Sequence, residues 1–141
     1  MGAVGNTRVM VASIVITTYQ RPDLLKRALK SALNQTYKEY EIIVVDDCSD
    51  DPVEVPEGVQ LIRHEVNKGL SAARNTGIKA SKGEYIVCLD DDNELAPTFL
   101  EETVPILEAK HYTDGVLQQL DAIAVGRVIQ YKDFEDYVVP G

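Results

Sequence analysis

The apolar positions of this chain fall into short blocks separated by polar turns, and the spacing within each block assigns it to an element. Val9 to Thr17 is a run rich in β-branched residues, as expected of a strand buried on both faces of a parallel sheet. Pro22 stands where a first helical turn tolerates proline, and Leu25, Ala28, Leu29, Ala32 and Leu33 recur at helical spacing until Asn34-Gln35-Thr36 closes the segment. Glu41 to Asp47 predicts a second buried strand ending in two acids, after which Asp50-Asp51-Pro52 breaks the chain. Val59 to His64 predicts a shorter third strand, Asn67-Lys68-Gly69 a loop, and Leu70 to Ala80 a helix stopped by Lys82-Gly83. Glu84 to Leu89 predicts the next strand, Asp90 to Glu94 an acidic loop, Pro97 to Lys110 a helix with proline in its first turn, and Asp121 to Tyr131 a last strand.

The order β-α-β-β-α-β-α-β, with apolar strands, predicts an α/β fold: a Rossmann-like, mostly parallel sheet with helices on both faces. In such open sheets ligands sit at the carboxyl ends of the strands. Thr17-Thr18-Tyr19, Asp46-Asp47 and Asp90-Asp91-Asp92 all fall there and are expected to converge on one crevice. The chain shows neither an internal repeat nor a low-complexity segment.

With 141 residues, the length fits a single domain, residues 1–141. A formal charge of −9 argues against nucleic acid as a partner, because phosphate backbones select basic surfaces. An acidic protein still takes a phosphorylated small molecule when its carboxylates hold a divalent cation. Cys48 and Cys88 have neither metal-ligand spacing nor the density of a disulfide scaffold, so a reduced, cytoplasmic setting is expected. The run Val9 to Ile16 is too short to span a bilayer, and no membrane segment is expected in this chain.

Asp90-Asp91-Asp92 is the sharpest chemical feature, since three adjacent carboxylates repel one another unless solvent, protonation or a cation intervenes. On an extended loop Asp90 and Asp92 point the same way and offer two hard oxygen donors to Mg²⁺ or Mn²⁺; a solvated acidic turn with Asn93 and Glu94 is the plainer alternative. Leu95 stands where a calcium-binding EF-hand loop requires glycine, and no G-x-G-x-x-G follows the first strand. Ser13, His64 and His111 lack nucleophile-elbow or metal-ligand spacing and are expected to be structural or solvated.

Four segments in order, SIVITTYQRPDLLKRALKSALNQTY, EIIVVDDCSDD, NKGLSAARNTGI and GEYIVCLDDDNELAP, resemble the family 2 glycosyltransferases over roughly Val9 to Pro105. The resemblance implies a GT-A type nucleotide-diphospho-sugar transferase fold, cut short at the carboxyl end, and a DXD-type acidic motif. It implies inverting, metal-dependent transfer from a nucleotide sugar, with UDP as the nucleotide, to a saccharide or other hydroxyl acceptor. Thr17 and Tyr19 would line the nucleotide pocket, with the Tyr19 ring offering a stacking face. Asp46 or Asp47 would accept a hydrogen bond from the base, or else cap a turn with Ser49. Lys68, Gly69 and Arg74 would lie near base, ribose or phosphates, Arg74 having an ordinary surface ion pair as its alternative. Asp90 and Asp91 would approach ribose and metal, and Asp92 would be the direct metal ligand.

Two departures stand out: Gln20 takes a place where the family often carries asparagine, and the segment after Asp51 is too short for a helix found in many members. Family members usually continue past the point reached at Gly141, so the catalytic base is expected there; Glu94, Asp121 and Asp133 are acids at hand, but none sits in a family motif. Exposed apolar surface around Val116 to Val139 would make the chain a homo-oligomer. The competing functions are a nucleotide-sugar-binding module without turnover and a sugar nucleotidyltransferase, the latter disfavoured because no glycine-rich, arginine-containing loop follows the first strand.

Overall fold

The computed structural model of the protein describes residues 10–114 and the strand residues 120–121 and 128–131. In chain order the elements are β1 (Ala12–Thr18), α1 (Pro22–Leu33), β2 (Tyr40–Asp46), β3 (Gln60–Arg63), α2 (Leu70–Ala80), β4 (Tyr85–Asp90), α3 (Phe99–Asp114), β5 (Leu120–Asp121) and β6 (Val128–Tyr131). They build one sheet in the order β3-β2-β1-β4-β6-β5. The first four strands are parallel, whereas β6 runs antiparallel to β4 and β5 antiparallel to β6. The sheet is therefore mostly parallel, as its β-branched strands imply.

One expectation is corrected. The single last strand from Asp121 to Tyr131 is instead two short strands that pair with each other, Leu120 opposite Ile129 and Asp121 opposite Val128. Helix α3 begins at Phe99, two residues after Pro97, and carries Pro105 inside it. The Val116 to Val139 surface, named above as an association face, lies mostly outside the described residues.

Pleating sorts the strand side chains between two layers of helix. Ala12, Ile14 and Ile16 of β1, with Ile42 and Val44 of β2 and Tyr85, Val87 and Leu89 of β4, join Leu25, Ala28, Leu29 and Ala32 of α1 and Phe99, Leu100, Val104 and Leu107 of α3 in one core. The alternate positions, Val15, Ile43, Val45 and Ile86, pack on Ala73 and Ile78 of α2. Seven consecutive buried residues in β1 follow from this two-sided cover. Helix α2 lies so close to the sheet that a Cβ built on Gly77 would stand 2.2 Å from Val15 Cγ1.

Candidate functional site

Strand register assembles the site. Thr17 lies beside Val45 on one side and Asp90 on the other, and Thr18 lies beside Asp46, so the polar ends of β1, β2 and β4 finish flush. They floor a crevice of about 650 Å³ lined by Thr17 to Arg21, Asp47, Asn67, Gly69, Leu70, Ala73 and Asp90 to Asp92. It opens between β1 and β4, where the strand order reverses direction, which is the place such sheets reserve for ligands.

The acidic wall is a turn and not the extended loop expected from sequence: the Asn93 N–H donates to the Asp90 carbonyl at 3.1 Å. The three carboxylates therefore have three different environments. Asp90 is engaged by the Arg74 guanidinium at 2.9 and 3.2 Å, a half-buried pair. Asp91 is buried, accepting from the Thr18 hydroxyl at 3.0 Å and from Arg21 at 3.3 Å. Burial is the largest influence on Asp91 and pushes its carboxyl above the usual carboxylate range, only partly countered by Thr18, Arg21 and the Tyr19 N–H. Asp92 projects into the crevice with a side chain 53% exposed, 3.8 Å from Arg21.

This arrangement fits a hard divalent cation held by few protein oxygens. Asp92 is an accessible anionic donor and Asp90 a second at the same rim, which suits an ion that keeps water and substrate oxygens among its ligands. No group of three or more His, Cys, Asp or Glu among the described residues would hold a metal unaided.

The turn is mounted on α1. Gln35, almost fully buried, donates to the Ala96 carbonyl at 2.7 Å and accepts from the Leu100 N–H at 2.9 Å, supplying a partner to the first turn of α3. The Ser31 hydroxyl accepts from the Leu95 N–H at 3.0 Å, and Arg27 pairs with Glu94 at 3.1 Å. Glu94, one of the acids considered as a base, is thus engaged outside the crevice lining, and the side chains of Asp121 and Asp133 lie outside the described residues.

The other wall is built on Asp47. Its Oδ1 accepts from the Lys68 N–H and the His64 ring, both at 2.8 Å, and its Oδ2 accepts from the Gly69 N–H at 2.8 Å. Gly69, at φ 99, takes a left-handed conformation that an L-residue resists. Burial acts to raise the Asp47 carboxyl, but the three donors together outweigh it and hold it below the usual range. A carboxylate has about four lone-pair sites, so one remains for a ligand.

Asp46, its neighbour, does not line the crevice. Adjacent strand residues face opposite sides of a sheet, and Asp46, 0% exposed, is turned away from the crevice and engaged by the Ser49 N–H and hydroxyl at 3.0 and 2.7 Å and by Arg63 at 2.6 Å. Of the two roles considered for it, capping the turn with Ser49 is the one the structure contains.

Of the residues expected from sequence, Thr17, Tyr19, Asp47, Gly69, Asp90, Asp91 and Asp92 share the crevice, whereas Asp46, Lys68 and Arg74 are not among its lining. Lys68 acts through its backbone N–H and has an exposed side chain. Arg74 stands behind Asp90, and its buried Nε has no hydrogen-bond partner. Arg21 and Asn67 line the crevice and were missed, whereas His64, expected to be structural or solvated, is buried against Asp47 outside the lining. Arg21 has a readable signal, since the residue preceding a helix-starting proline at the end of β1 must lie at the crevice. Gln20 absorbs its departure from the family pattern in a left-handed conformation, φ 59, and exchanges two 2.9 Å hydrogen bonds with Asp50.

The family model described as Glycosyl transferase family 2 matches residues 13–135. The chain is similar to the Escherichia coli UDP-Glc:alpha-D-GlcNAc-diphosphoundecaprenol beta-1,3-glucosyltransferase WfaP, with 34% identity over 71% of this chain and 42% of that protein. Among solved structures, S. aureus TarS in complex with UDP-GlcNAc superposes with a TM-score of 0.69 at 20% identity, over 87% of this chain and 46% of the other. The mannosyltransferase PcManGT from Pyrobaculum calidifontis, in complex with GDP-Man and Mn²⁺, gives 0.58 at 22% identity, over 70% and 32%. These likenesses show a GT-A type fold. The chain spans less than half the length of the curated relatives it matches.

Proposed function

The chain belongs to glycosyl transferase family 2, and from that premise we propose that it is the donor-binding part of a glycosyltransferase. Its ligand in this reading is a nucleoside-diphosphate sugar with UDP as the nucleotide, and the sugar passes to an acceptor hydroxyl with inversion. One observation carries the reading: Thr17, Tyr19, Asp47, Gly69 and the three acids of the turn meet in a single crevice at the strand ends. The uridine assignment draws support from the UDP-GlcNAc held by TarS and the UDP-Glc in the name of the E. coli relative.

Tyr19, 42% exposed at the crevice, presents a ring on which a pyrimidine stacks, and the remaining lone pair of Asp47 accepts an N–H from the base. A Mn²⁺ or Mg²⁺ ion would be held by Asp92 with Asp90 and would supply Lewis-acid stabilisation of charge on the departing diphosphate. Arg21 and Arg74 offset the negative charge that the three carboxylates would otherwise present to a diphosphate. The acceptor's proton needs a carboxylate on the face opposite the leaving group, and no described residue is assigned that role.

A single donor-binding domain and a cytoplasmic setting belong to the same proposal. Neither Cys48 nor Cys88 is in a disulfide, and no helix among the described residues is long and apolar enough to cross a membrane. The test is thermal: UDP should raise the melting temperature more than ADP or GDP, and only with Mn²⁺ or Mg²⁺, because a ligand of the native state alone stabilises by mass action. Equal, metal-independent shifts from all three nucleotides would overturn the pocket. Binding without turnover would instead favour a binding module over an enzyme.

A further inference from the structure

Resting on that reading of the crevice, the geometry points to His64 as a positioning residue for nucleotide recognition: its ring, fixed at both ends, sets the orientation in which Asp47 meets the base. From sequence His64 is the last residue of a predicted strand, Val59 to His64, with no spacing to suggest a role. In the fold it is buried to 6% exposure between two partners, Nδ1 at 2.8 Å from Asp47 Oδ1 and Nε2 at 2.8 Å from Thr76 Oγ1.

Ionised Asp47 only accepts, so Nδ1 carries the hydrogen of that bond, and Nε2 shares a hydrogen bond with the Thr76 hydroxyl, which can donate or accept. The backbone that carries the ring is fixed too, since the His64 N–H donates to the Asp46 carbonyl at 2.9 Å. Thr76 lies in α2 and Asp47 directly follows β2, so the imidazole links helix to sheet at the crevice.

What His64 adds is a direction. The other two donors to Asp47 are backbone N–H groups of Lys68 and Gly69 on the loop entering α2, one to each oxygen. They would tolerate rotation of the carboxylate together with that loop. The histidine is the side-chain donor that brings Oδ1 a second bond and ties the plane of the carboxylate to α2. Three sites being occupied, the choice of which lone pair faces the crevice depends on it.

Asparagine and glutamine separate the two ends of the ring, because an Asn amide nitrogen stands near the place of Nδ1 and a Gln amide nitrogen near that of Nε2. UDP affinity of this chain with Mn²⁺ is measured by calorimetry for wild type, His64→Asn, His64→Gln and Thr76→Val, beside their melting temperatures. Expected is a Kd within about threefold of wild type for Asn and about tenfold weaker for Gln, the worth of one hydrogen bond to a charged group. Both should melt below wild type, so affinity and stability part company. Affinities that follow the melting temperatures, or that match wild type in both variants, overturn the inference. If neither His64 variant folds, Thr76→Val decides: weakened UDP binding in a folded protein supports the link, and unchanged binding removes it. Wild type that binds no UDP would sink the proposed function itself, a result separate from any ranking of variants.

Discussion

Asp47→Asn replaces one carboxylate oxygen by an amide nitrogen of nearly equal size, so its effect is almost purely one of hydrogen-bond chemistry. Three N–H donors converge at 2.8 Å on a side chain 4% exposed in its residue. An amide has one oxygen to offer. In its better orientation that oxygen stays with the Lys68 N–H and His64, and the new NH₂ opposes the Gly69 N–H. Orphaning a buried N–H costs about 1–3 kcal/mol, and bonds to a charged acceptor exceed neutral ones by about 1 kcal/mol each. Because Gly69 is only half-buried, water relieves part of this, and a net loss of about 3 kcal/mol is expected. For a domain of this size that lowers the melting temperature by about 10 °C.

The pH dependence supplies a second check. Asp47 is held below its unfolded value of about 3.9, so its ionisation contributes stability that is present above that value and is lost as pH falls through the lower folded value. The asparagine variant has no such contribution, and the gap between the two proteins should narrow as pH drops from about 5 to about 2. Thermal melts of both proteins across that range make the measurement. A neutral-pH difference below about 3 °C, or a gap that widens on acidification, would refute the account of Asp47 as the hub of this wall.

Three further outcomes are expected. Asp92→Asn should leave metal-free stability within about 0.5 kcal/mol, because it gives up only a 3.8 Å exposed contact to Arg21, yet abolish the metal-dependent part of UDP binding; melts with and without Mn²⁺ and UDP check both halves. Gly77→Ala, which in an open helix would gain about 1 kcal/mol, should instead lose about 1–3 kcal/mol against Val15, measured by urea unfolding. Gln35→Leu orphans the Leu100 N–H and leaves the Ala96 carbonyl with the Phe99 N–H alone, so it should cost about 1–3 kcal/mol in the same assay, with weaker metal-dependent UDP binding as the acidic turn loosens.

The parallel sheet was legible because its signal is local: runs of β-branched residues with helical blocks between them. Leu70 to Ala80 matches the observed helix, and the crevice followed from where the polar strand ends fell. Long-range pairing was not legible. Asp46 and Asp47 look alike in sequence, and what separates them is Arg63 beside Asp46 and His64 beneath Asp47, both delivered by the alignment of β3 on β2. The mounting of the acidic turn depends likewise on Gln35 and Ser31 meeting a segment more than sixty residues away, as the separations of 61 and 64 show. The last strand was over-extended because its split rests on pairing between its own two ends, Leu120 with Ile129 and Asp121 with Val128, which an apolar run does not announce.

The two walls of the crevice belong to different halves of the protein's interior. The acidic turn is bolted to α1 and α3 on one side of the sheet, and the Asp47 wall to α2 on the other. Apart from the strands, the Arg74–Asp90 pair ties α2 to the acidic turn at one edge of the crevice. A ligand spanning the crevice would act as a further rivet through the sheet, drawing the two layers into a tighter cooperative unit. Occupancy would then be registered far from the crevice, as slower amide exchange in α1 and α2 together, and any change that shifts one helix would be felt as a change in the width of the slot rather than in its chemistry.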